Sequence, residues 1–69
     1  MLNETQHARL TTILNRLGKV IGELDYTDKK FIKHLKYEFY QFDYNTVILN
    51  EEWIHLEELY NKFIGVEKL

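Results

Sequence analysis

Neither serine nor cysteine occurs in these 69 residues. The side chains that most often form covalent intermediates are therefore missing, and with cysteine go disulfides and thiolate zinc sites. The threonines stand in no setting that pairs a hydroxyl with a base. His7, His34 and His55 are scattered along the chain. His34 with Glu38, and Glu51 with His55, stand four apart, which on a helix puts imidazole and carboxylate on one face. Each pair offers two ligands where a metal site needs three or four, so protonatable surface histidines are the expectation, with no metal and no cofactor. Glu51, Glu52, Glu57 and Glu58 fit a helix start and a solvated face better than paired-carboxylate chemistry. Three glycines make no phosphate-cradling loop. An enzyme is not expected.

Binding chemistry is better represented. The segment KKFIKHLKYEFYQFDY, from Lys29 to Tyr44, interleaves lysines with aromatic rings. At about 100° per residue, Phe31, Ile32, Leu35, Phe39 and Phe42 share one sector of a helix, wide enough to be a core face. Lys29, Lys33, Lys36, Tyr37, Tyr40 and Tyr44 fall opposite, with Lys33, Tyr37, Tyr40 and Tyr44 forming a stripe at i, i+4, i+7 and i+11. Phenylalanines turn inward and tyrosines outward. Three readings fit the stripe. Its rings cover lysine stems on a solvated face; or tyrosine anchors make a protein-binding patch; or lysines meet phosphates while rings stack on unpaired bases.

Positioning such a face needs helices, and the pattern supplies three, over about 4–24, 28–43 and 51–64. In the first, Leu10, Ile13, Leu14, Leu17, Val20, Ile21 and Leu24 repeat at helical spacing. Asn3 with Gln6 predicts a capping box. Gly18 and Gly22 flank the stripe, either for close approach of a neighbouring helix or simply because the flank tolerates them. Thr27 is the expected N-cap of the second helix, with Tyr26 and Phe31 as its hydrophobic staple. Asn50 is the expected cap of the third, with Leu49 and Ile54 as staple and Gly65 as a left-handed stop. Trp53, in register with Leu56, Tyr60 and Phe63, belongs to the core. The expected fold is an all-α, compact three-helix bundle in one domain. One alternative uses the same register: apolar residues from Ile32 to Phe63 step by three and four without a slip, so a single long helix could form a hairpin that dimerises.

The formal net charge of −2 is not that of a dedicated duplex binder, but its distribution is uneven. Lysines gather in the middle and glutamates later, and the acidic third helix weighs against a broad nucleic-acid footprint. No signal peptide pattern opens the sequence, and no apolar run approaches the roughly 20 residues that span a bilayer. A cytoplasmic protein, monomer or homodimer, is expected. The abundance of Asn, Lys, Ile, Tyr and Phe, with one alanine, two arginines and no proline, points to A/T-rich codons, as in a phage or a low-GC bacterium.

Two segments, LDYTDKKFIKHL and LNEEWIHLEELYNKF, together resemble the small helical domains associated with T4-type phage helicases of the UvsW kind. The matching residues are Leu24, Thr27, Asp28, Phe31, Ile32, Leu49, Leu56, Leu59, Tyr60 and Lys62, within residues 24–63. Trp53 stands near where that pattern shows Gln, and the joining loop lacks its glycine. The resemblance implies a helical accessory module beside a helicase that acts on branched and annealed DNA. It carries over no site residue, because the matches are cap and core positions. The expected partner is single-stranded nucleic acid or a helicase-type protein, met through the Lys/Tyr face; the alternative is a regulatory protein-interaction module that touches no nucleic acid.

Overall fold

The structure, a computed structural model, describes residues 1–65. Three helices, α1 (Glu4–Lys19), α2 (Tyr26–Phe42) and α3 (Asn50–Phe63), are joined by 3₁₀ turns at Ile21–Glu23 and Asp43–Asn45, with no strand among the described residues. This is the three-helix bundle. The long-helix hairpin is excluded, because α2 stops at Phe42 and α3 begins at Asn50. A continuous helix over 28–64 would measure about 55 Å, whereas the longest extent of the molecule is 29 Å.

The start of α1 is the one the sequence predicts. Asn3 Oδ1 accepts from the Gln6 N–H at 2.7 Å, and Gln6 Oε1 accepts from the Asn3 N–H at 3.0 Å. Its end comes five residues early, at Lys19. Gly18 and Gly22 weaken the helix there, and the backbone tightens into bonds from Val20 to Leu17, Glu23 to Val20 and Leu24 to Ile21. A 3₁₀ turn keeps side chains inward at similar spacing. Val20 and Ile21 therefore still pack on the core and Leu24 is buried, so the apolar pattern outlasts the α-helix.

Helix α2 starts earlier than expected. Asp25, not Thr27, is the N-cap, and its Oδ1 accepts from the Asp28 N–H at 2.9 Å. Asp ranks above Thr as a cap, and moving the cap back two positions puts Tyr26 in the first turn, in solvent rather than in a staple. The cap of α3 also moves back, from Asn50 to Leu49. Leucine has no acceptor, so only half a capping box forms, with Glu52 Oε1 accepting from the Leu49 N–H at 2.9 Å. Leu49 and Ile54 are both exposed and form no staple. The two staple positions pass to Ile48 and Trp53, which pack against the core. At the far end, Ile64 caps α3 and no glycine adopts positive φ, so Gly65 is not a left-handed stop.

Helix α1 packs against both other helices. It supplies Leu10, Ile13, Leu14 and Leu17 to a core completed by Leu2, Leu24, Ile32, Leu35, Leu56 and Leu59. Phe31 and Phe39 pack on this core as expected. Phe42 does not: it is 46% exposed. It lies at the edge of the apolar sector, about 60° from Phe39, and α2 ends there before a neighbour covers it. Thr46 is the one buried polar residue among those described; its hydroxyl donates to the Asp43 carbonyl at 2.7 Å, so burial leaves nothing unpaired. Leu2 is tied to the same joint by its N–H bond to the Tyr44 carbonyl.

Candidate ligand-binding face on the second helix

Because α2 leans chiefly on α1, most of its circumference faces solvent. Lys33, Lys36, Tyr37 and Tyr40 are exposed, with Tyr37 at 62% and Tyr40 at 90%. Lys29 is half-buried on the flank. Two residues join them that the sequence reading did not place on this face. Tyr26 is 73% exposed, and the Lys30 ammonium lies 5.4 Å from its ring centre. Once the cap moves to Asp25, the outward stripe becomes Tyr26, Lys30, Lys33, Tyr37 and Tyr40, alternating steps of four and three over about 21 Å. The spacing was there to find, since Tyr26 and Lys30 continue the register of Lys33, but an expected start at Asp28 excluded Tyr26.

Tyr44 leaves the stripe. After Phe42 the backbone turns at Asp43 with φ 52° and ψ −121°, a conformation that normally calls for glycine. Tyr44 then swings back over α1, and its ring stacks on His7 at 3.9 Å between centres, 16° from parallel. His7 is also tilted against Phe39 at 4.9 Å, and its Nε2–H donates to Asp43 Oδ1 at 2.5 Å. A second histidine does similar work at the other end of α2. His55 of α3 stacks on Phe31 at 4.4 Å and donates from Nε2 to Asp28 Oδ1 at 3.0 Å. Imidazole, ring and carboxylate thus clasp α2 at both ends. Neither clasp pairs His34 with Glu38 or Glu51 with His55, and among the described residues no three His, Asp or Glu side chains group as metal ligands.

The charges sort in the same way. Arg9 forms a two-pronged bond to Glu57, at 2.9 and 2.7 Å, and lies over the Tyr60 ring at 4.6 Å. The hydrogen bond to Glu57 raises the Arg9 pKa, and the same bond holds the Glu57 carboxyl below its ordinary value. Arg16 bonds the Tyr60 hydroxyl. Both arginines therefore serve the α1–α3 seam, and the positive charge of α2 is all lysine. Those four lysines make no ion pair among the described residues, although the chain carries more acidic than basic groups. Lys36 reaches toward the last turn of α1, where a β-carbon on Gly18 would stand 3.0 Å from its Nζ. A cation is favoured at that carbonyl-rich end. Gly18 thus admits a side chain rather than a helix backbone, and Gly22 has open space around it.

Between α1 and α2 runs a groove of about 350 Å³. Leu14 and Phe39 are its apolar lining, and Asn15, Lys36, Tyr40 and Asp43 bring polar groups to it. It adjoins the outward stripe, sharing Tyr40 with it. No described helix is long and apolar enough to cross a membrane. No family model, no curated protein and no solved structure matches this chain.

Proposed function

We propose that the chain is a non-enzymatic accessory module that binds single-stranded nucleic acid through the α2 face, beside a helicase-type machine of the kind its resemblance to phage helicase-associated domains implies. The observation that carries this reading is the coincidence, on one exposed face, of unpaired lysines and tyrosine rings open to solvent. Ammonium groups contact phosphates and rings stack on unpaired bases, a pairing typical of single-strand binding. Absence of serine and cysteine supports action by binding. A duplex would demand a wider basic footprint than α2 offers, since the acidic start of α3 carries Glu51 and Glu52. The working compartment is the cytoplasm, that of the host if a phage encodes the chain.

The test is a fluorescence-anisotropy titration of a labelled single strand at two salt concentrations. With single strands the affinity falls with a log–log slope of about −0.7 per phosphate contact, so four lysines give about −3, or roughly 50-fold between about 50 and 200 mM salt. Duplex of the same length binds more weakly. A second reading is favoured by a specific observation: Phe42, Val47, Leu49 and Ile54 are all exposed around the α2–α3 joint. Such residues suit a regulatory protein contact with no nucleic acid. Under that reading single strands do not bind, and partner affinity changes little with salt.

A further inference from the structure

We infer that the α1–α2 groove receives one unstacked base of the bound strand and selects bases that carry an exocyclic amino group. This rests on the single-strand reading of the α2 face and deepens it. The groove's size falls in the range of small-ligand sites, as does its make-up of apolar lining with a few convergent polar groups. Leu14 and Phe39 offer an apolar surface for the base, and the highly exposed ring of Tyr40 stands at the rim, where a base arriving along the stripe would stack. Lys36 lines the same groove and makes no ion pair, so its ammonium is available to the phosphate of that nucleotide.

Selectivity comes from Asp43. Its unusual backbone, at φ 52°, and the bond of its Oδ1 to His7 hold the carboxylate at the groove's edge. Strained residues of this kind concentrate where a side chain must be presented in one place. With Oδ1 engaged by His7, Oδ2 remains an acceptor. A carboxylate accepts from the amino group of cytosine at the outer edge of the base, whereas thymine presents O4 there, which the carboxylate repels, and its one donor, N3–H, lies between two carbonyl oxygens. Asn15, on the α1 wall, has both donor and acceptor for the remaining base edge.

The experiment compares oligo-dC with oligo-dT of equal length, about a dozen nucleotides, by anisotropy at neutral pH and low salt. The wild-type chain is expected to bind oligo-dC about tenfold more tightly, the discrimination of one good base contact. Asp43→Asn keeps a side chain that tolerates unusual backbone and replaces the charge with an amide that can donate to O4 of thymine, so the ratio is expected to fall to one or below, oligo-dC binding weakening and oligo-dT binding strengthening. Asp43→Gly, whose backbone is relaxed at that position, guards against a folding defect and should give the same loss of ratio. Equal wild-type binding of both strands overturns the groove site but leaves the α2 face standing. A wild-type preference that survives both substitutions overturns the role of Asp43. Absence of binding to either strand overturns the face itself, and the groove site with it.

Discussion

Asp43 offers a measurement in which backbone and side chain separate cleanly. Its φ of 52° with ψ of −121° costs an L-residue about 1–3 kcal/mol, and glycine adopts it without that cost. Asp43→Ala and Asp43→Gly both delete the carboxylate and the bond to His7, so those losses cancel between the two variants. What differs is the β-carbon. Elsewhere in a protein, alanine is more stable than glycine by about 0.4–1 kcal/mol, because glycine has more freedom to lose on folding. At this position the strain outweighs that difference, and the glycine variant is expected to be more stable by about 1–2 kcal/mol. In a domain of this length that separates the melting temperatures by roughly 5–15 °C. Thermal melts followed by helical circular dichroism, with urea titrations as a check, would measure it. An alanine variant equal to or more stable than the glycine variant would refute the positive-φ joint, and with it the reason Tyr44 leaves the stripe.

Ile32→Ala should remove about 2–5 kcal/mol, since Ile32 is fully buried. On a domain whose total is on the order of 3–10 kcal/mol that approaches complete unfolding, visible as lost helical signal. Phe39→Ala should cost less, about 2–3 kcal/mol, because its ring is half-buried and shares its cover with His7. For Glu57, whose carboxyl is held below its ordinary value by Arg9, the folded state binds its proton less readily than the unfolded chain. Its contribution is complete above the unfolded pKa of about 4.3 and disappears as pH falls through the lower folded value. Because both partners are more than a third exposed, the effect is small, under about 1 kcal/mol. Urea midpoints of wild type and Glu57→Gln should therefore differ at pH 7 and converge on acidification; a gap that widens in acid would contradict the pairing.

Local features of the bundle were readable from the residues alone. The Asn3–Gln6 box, the α1 stripe and the two faces of α2 depend on neighbours within a turn or two, which helical periodicity reports directly. Boundaries were less readable, because competing signals stood side by side. Asp25 and Thr27 are both good caps, and the 3₁₀ turn after α1 presents Val20, Ile21 and Leu24 inward much as a helix would. Least readable were contacts between distant residues. His7 meets Asp43 across 36 positions and His55 meets Asp28 across 27, and no spacing rule connects such pairs. That is why the histidines read as surface groups, and why Tyr44 was placed on the wrong side of α2. The site suffered the same way. Lys33, Lys36, Tyr37 and Tyr40 followed from the wheel, whereas Tyr26 depended on a cap and Asp43 on a single backbone angle.

The proposed recognition depends on Tyr37 and Tyr40, two rings that are largely exposed. Binding of a labelled single strand to Tyr37→Ala/Tyr40→Ala, with circular dichroism on the same sample, tests this most directly. Base–aromatic stacking contributes about 1–3 kcal/mol per ring, so the double variant should lose about 30-fold or more in affinity while keeping its helical signal. Unchanged affinity, or a double variant that unfolds, would contradict the account.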